Sequence, residues 1–90
     1  MKVEEIKSVV DDIPMMTVEQ AQKITSFIRS KNLKNLLELG FYHGVSSCYL
    51  AGALDEMKDG HLTTIDLKNA KNREPNIEEL LKKLGLSSYV

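Results

Sequence analysis

The feature that most limits what this chain can fold into is the segment Leu36–Ser47, LLELGFYHGVSS, where a short apolar run stops at a glycine and a helical pattern begins soon after. Leu36, Leu37, Glu38 and Leu39 are too few for a helix with its own apolar stripe, and a run of this kind reads as a strand buried on both faces. Gly40 closes it. A glycine at a strand exit reaches backbone angles closed to other residues and lets a ligand approach the main chain. From Val45 the apolar positions Cys48, Tyr49, Ala51, Leu54 and Met57 suit a helix, which the pair Asp59-Gly60 ends.

The same alternation continues downstream. His61 to Asp66 reads as a second strand, Leu67 to Pro75 as a polar loop, and Asn76 with Glu79 as the start of a capped helix through Leu80, Leu81 and Leu84 to Gly85. Ser87 to Val90 reads as the opening of a third strand. Strand, helix, strand, helix, strand predicts an α/β fold: a partial Rossmann-like parallel sheet, strand order 3-2-1, with flanking helices. Upstream, residues 3–12 suit a short helix, and Asp12 to Met16 a connector, because Pro14 disfavours helical geometry at the residue before it. Residues 1–16 are thus an N-terminal helix and connector within a single domain spanning 1–90. Thr17 followed by Gln20 is a capping-box pattern, after which Val18, Ala21, Ile24, Phe27 and Ile28 recur on one helical face through about Ser30.

Composition narrows the function. A content of 42% hydrophobic and 28% charged residues excludes disordered and fibrous classes. Twelve basic and thirteen acidic residues are interspersed, so no basic stripe tracks phosphates and nucleic acid is not an expected partner. No apolar run approaches the roughly 18–20 residues that cross a bilayer; no membrane partner is expected, and the expected location is cytoplasmic. The single cysteine, Cys48, has no partner for a disulfide or a zinc site, and burial in a helix is its expected role.

The chemistry gathers at the strand ends. In an open parallel sheet, ligands bind outside the carboxyl ends of the strands, and an acidic residue such as Asp66 there accepts hydrogen bonds from two ribose hydroxyls. The helix after Gly44 offers free N–H groups, and Ser46 and Ser47 add hydroxyls. A dinucleotide fingerprint needs glycines where this sequence has Tyr42 and Val45, so a ligand without a pyrophosphate fits better and a nicotinamide-binding domain ranks last. The carboxylate of Glu38 suits a cationic sulfonium or an amino group. S-adenosylmethionine offers both.

With those residues in place, the segment ELGFYHGVSS resembles the class I S-adenosylmethionine-dependent methyltransferases, particularly the small-molecule O-methyltransferases similar to the catechol and caffeoyl-coenzyme A enzymes. The resemblance implies that Glu38 lies near the methionine amino group, Gly40 lines the cofactor, Tyr42 and His43 fill the turn, and Gly44 allows its tight geometry. It further implies that Ser46 binds the methionine carboxylate, that Asp66 binds the ribose hydroxyls with Leu67 beside it, and that Met16 and Thr17, in PMMTVEQAQ, brush the cofactor. It covers residues 14–90 but only the first half of that family's domain, so it supplies no catalytic residue, no metal ligand and no acceptor pocket. The expected activity is methyl transfer to a small-molecule acceptor, at oxygen. A non-catalytic module that associates with copies of itself through an exposed sheet edge is the alternative, since unpaired edges invite association. His43 is read as a loop residue rather than a base, His61 as a solvated strand start, Met15 as apolar filler, and Lys68, Lys71, Arg73 and Glu74 as a solvated loop edging the adenine pocket.

Overall fold

The local signals decide where most elements begin and end. The computed structural model describes residues 1–13 and 15–90; Pro14, on which the reading of the connector rests, lies outside them. Helix α1 spans Val3–Val10, α2 Val18–Lys31, α3 Val45–Met57 and α4 Ile77–Leu84, with strands β1 Asn35–Leu39 and β2 His61–Ile65. Both halves of the capping box at α2 are formed: the Gln20 N–H donates to Thr17 Oγ1 at 3.1 Å, and the Thr17 N–H donates to Gln20 Oε1 at 3.0 Å. At α4 the Glu79 N–H donates to Asn76 Oδ1 at 3.0 Å, and Gly85 ends the helix in a left-handed conformation.

The sheet is two parallel strands in register from Asn35 opposite His61 to Leu39 opposite Ile65. Helix α3 connects them and forms the centre of the molecule. Every residue from Ser47 to Leu54 is buried, because α1, α2, α4 and β2 all pack around this one helix. Val3, Ile6 and Val10 of α1 and Ile77, Leu80, Leu81 and Leu84 of α4 join Val45, Tyr49 and Ala51 in the larger core cluster. A smaller cluster of Ile28, Leu50, Ala53, Leu54 and Leu62 lies under the sheet, with Leu36 packed against it.

Three expectations are corrected. The first concerns α2, whose buried stripe is Ala21, Thr25 and Ile28, while Ile24 and Phe27 are 37% and 56% exposed. Thr25 can sit inside an apolar contact because its hydroxyl donates to the Ala21 carbonyl at 2.7 Å, so no polar group is left unpaired. Second, β1 is covered on one face only. Strand alternation sends Leu36 and Glu38 toward α3, and it leaves Leu37 and Leu39, 66% and 76% exposed, on a face where no described element packs. Third, the strand expected at Ser87–Val90 is a 3₁₀ turn over Ser87–Tyr89, so the sheet has the order β1-β2 and no third strand among the described residues. Leu86 is buried in the core and the Tyr89 hydroxyl donates to Asp55 Oδ1 at 3.1 Å, which draws this segment onto α3 instead of the β2 edge. The polar segment after Asp66 also contains a 3₁₀ turn, Lys68–Asn72, anchored by the fully buried Ala70.

Candidate functional site

Parallel register brings the carboxyl ends of β1 and β2 side by side, and the chain leaves both there. The Gly40 N–H donates to the Ile65 carbonyl at 2.6 Å, so the turn after β1 starts against the last residue of β2. Gly40 has φ +87°, and a Cβ added there would meet no atom within 4 Å: the main chain is open to an approaching ligand. The turn closes when the Gly44 N–H donates to the Phe41 carbonyl at 2.7 Å, and α3 begins at Val45.

Between the two glycines, Tyr42 holds φ +57°, a conformation that costs a non-glycine residue about 1–2 kcal/mol. Asp66 offsets that strain. The Tyr42 N–H donates to Asp66 Oδ2 at 2.8 Å, and the Leu67 N–H donates to Asp66 Oδ1 at 2.7 Å. Arg73 completes the group, with Nη1 at 3.0 Å from both Asp66 Oδ2 and the Tyr42 carbonyl, and its guanidinium 4.4 Å from the centre of the Tyr42 ring. The two backbone N–H donors, and then the guanidinium, hold the Asp66 carboxyl at about 2, well below the usual carboxylate range. Asp66 is an anion at every physiological pH.

Glu38 forms the other half of the site. Its register partner on β2 is Thr64, and the two side chains leave the sheet on the same face. Thr64 Oγ1 donates to Glu38 Oε1 at 2.8 Å, Ser47 donates to the same oxygen, and Ser46 donates to Oε2. Cys48 lies one residue further along α3, fully buried. Burial, and then the negative charge of Glu38, push its thiol up to about 12, so it is a protonated core residue and not a nucleophile.

The other expected residues fall into two groups. Gly44 is buried at the start of α3, and the His43 ring donates through Nδ1 to the Pro75 carbonyl at 2.7 Å, tying the turn to the segment before α4. Leu67 contributes its N–H to Asp66 and leaves its side chain 73% exposed. A cavity of about 410 Å³ lies along this edge, lined by Phe41, Thr64, Ile65, Asp66 and Leu67 with Lys68 and Lys71. Met16 and Thr17 are not brought to it. They line a separate cavity of about 310 Å³ with Val10, Ile13 and Tyr49, because the Thr17 hydroxyl is committed to capping α2 and Met16 packs on the core.

Arg73 is the residue that local patterning misses: read as part of a solvated loop, it stands instead on Asp66 and Tyr42. Thr64 was within reach, because it precedes Asp66 by the same two positions by which Glu38 precedes Gly40, and parallel pairing sets equal offsets side by side. Among the described residues, no group of three or more His, Cys, Asp or Glu side chains is placed to hold a metal ion. No helix there is long and apolar enough to cross a membrane.

Parallel strands joined through a helix make a partial Rossmann-like α/β domain, and it carries two carboxylates and a glycine turn at the strand ends, the edge where open parallel sheets bind ligands. Residues 37–90 match the family of methyltransferase domains, and the chain belongs to that family. The matched region takes in Glu38, the glycine turn, Asp66 and Arg73, and excludes Met16 and Thr17. No curated protein matches the chain.

Proposed function

We propose that this chain is the S-adenosylmethionine-binding portion of a methyltransferase that transfers a methyl group to a small-molecule acceptor, at oxygen. The observation that carries the reading is the pair of carboxylates, Glu38 and Asp66, held on either side of the open main chain at Gly40. The donor set suits the cofactor's chemistry. Glu38 complements its cationic amino-acid end, Asp66 complements a ribose diol, and the exposed Tyr42 and Gly40 offer a surface between them. Ser46, half-buried at the start of α3, faces the methionine carboxylate in this reading. Two anions and a tyrosine in the turn disfavour a pyrophosphate there. When bound, the cofactor supplies a sulfonium whose methyl group is open to in-line displacement; the residues named here orient it and hold it in place. The choice of oxygen and of a small acceptor follows from the likeness of ELGFYHGVSS to small-molecule O-methyltransferases.

Calorimetric titration with S-adenosylhomocysteine, with NAD as control, tests the reading without turnover. Saturable binding of the first alone is expected, weakened roughly 10- to 100-fold by Asp66→Asn, the usual cost of losing hydrogen bonds to a charged group. Equal binding of NAD, or no binding by a chain with intact circular dichroism, overturns it.

One observation favours the second reading, a non-catalytic module that self-associates. Leu37, Leu39 and Ile65 are 66%, 76% and 55% exposed on a sheet face that no described element covers, and among the described residues neither strand pairs along its outer edge. A dimer or larger species by sedimentation at micromolar concentration supports it, and a monomer overturns it.

A further inference from the structure

Glu38 meets its three hydroxyl donors unevenly, and the unevenness divides their roles. Oε1 accepts from Thr64 at 2.8 Å and from Ser47, whereas Oε2 accepts from Ser46 alone. A carboxylate oxygen offers about two lone-pair sites, so Oε1 is filled and Oε2 has room for one more donor. The donors also differ in position. Ser47 is fully buried, and Thr64 is fixed beside Glu38 by the strand register, while Ser46 stands half-buried at the rim.

We infer that Ser47 and Thr64 are positioning residues that pin Oε1 from the interior and so present Oε2, with Ser46 as its exchangeable partner, to a ligand's amino group. The inference rests on the cofactor reading above and deepens it. An unpinned glutamate would have to be ordered at the moment of binding, and ordering a flexible side chain subtracts from affinity. Pinned through one oxygen, Glu38 is set in place before a ligand arrives. Ser46 then has two possible acceptors, Glu38 Oε2 and a ligand carboxylate, so the arriving amino group takes the place on Oε2 that the hydroxyl leaves. Thr64 and Ser47 act through Glu38 and need not touch the ligand.

The test compares S-adenosylhomocysteine with 5′-methylthioadenosine, which keeps the nucleoside and lacks the amino-acid end. Thr64→Val removes one donor at constant shape; it is expected to weaken the first ligand about tenfold and the second by less than about twofold, with Thr64→Ser restoring the loss. Ser47→Ala, which deletes the other donor on the same oxygen, is expected to show the same split. Equal weakening of both ligands means a general structural effect and overturns the inference, as does unchanged affinity for both. If the wild-type chain binds neither ligand, the cofactor reading itself falls; if it binds both and the variants do likewise, only the positioning role falls.

Discussion

Replacing Gly44 by alanine asks how rigidly the turn beneath the site is built. Gly44 has φ +99°, and a Cβ added there would lie 2.8 Å from Cα, Cβ and Cγ1 of Ile77, the first residue of α4. An alanine therefore meets two penalties: about 1–2 kcal/mol for the left-handed backbone, and about 1–3 kcal/mol for forcing extra volume into a packed contact. The second cannot be relieved by rotating a side chain, because one of the atoms struck is backbone. The His43 ring of the same turn holds the Pro75 carbonyl, two residues before Ile77, so the helix start cannot slide away without losing that hydrogen bond. Gly40→Ala is the internal control: its φ of +87° is equally unfavourable, but its Cβ meets nothing within 4 Å. The difference between the two variants, about 1–3 kcal/mol, isolates the steric term. For a domain of this size each kcal/mol moves the melting temperature by roughly 4–8 °C, so Gly44→Ala should melt roughly 5–20 °C below Gly40→Ala. Urea and thermal unfolding followed by far-ultraviolet circular dichroism measure this directly. Coincident unfolding curves for the two variants would refute the claim that α4 is seated hard against the turn.

Three further outcomes follow from the same geometry. The Asp66 carboxyl is held at about 2 in the folded chain, below the value near 3.9 of an unfolded aspartate, so its contribution is fully present above pH 4 and is lost as pH falls through 2; the stability gap between wild type and Asp66→Asn should narrow across that window, and an equal gap at pH 6 and pH 2.5 would count against it. With its thiol pushed up to about 12 and no exposure, Cys48 should resist a thiol reagent at pH 8 until the chain is unfolded in urea, and rapid labelling of the native chain would contradict its placement. Arg73 fills a place on Asp66 Oδ2 that already takes the Tyr42 N–H, while Oδ1 takes only the Leu67 N–H and has room for one hydroxyl, so Arg73→Ala should raise the affinity for S-adenosylhomocysteine by about threefold or more, since a second ribose hydroxyl then meets a free lone pair on Oδ2; a loss of affinity would make Arg73 part of the binding surface instead.

What could be read from the sequence was what neighbours in sequence decide. Thr17 with Gln20, Asn76 with Glu79, and the glycines after β1, α3 and α4 are signals within a few residues, and the elements they bound lie close to where those signals put them. The juxtaposition of the candidate residues followed from the same logic, since Glu38 precedes Gly40 and Asp66 follows β2, and parallel register alone sets those positions side by side. The errors had two origins. Thr25 takes a place in the buried stripe of α2 by a local bond that an apolar pattern does not register, its hydroxyl donating to the Ala21 carbonyl one turn back, whereas Tyr89 is pulled out of an extended path by Asp55, 34 positions away.

Arg73 shows why the charged segment after β2 could not be read as solvent-facing from composition. Its guanidinium contacts the Tyr42 carbonyl 31 positions away and Asp66 seven positions away, and it also covers the Tyr42 ring. Each contact singly is of the sort that contributes little at a surface. Together they link the left-handed turn after β1 to the acid that closes β2, so the geometry of one strand end depends on the other. In the proposed reading, a ligand that donates hydrogen bonds to Asp66 finds room on Oδ1, which takes only the Leu67 N–H, but must compete with Arg73 for Oδ2, whereas one that donates to Glu38 Oε2 competes only with the hydroxyl of Ser46. The two ends of the site are thereby unequal in the work that binding requires. On the proposed cofactor reading, the Asp66 end that takes the nucleoside has an ion pair to open and the Glu38 end that takes the amino acid has a hydroxyl to turn, so removing Arg73 should change nucleoside affinity more than any substitution at Ser46.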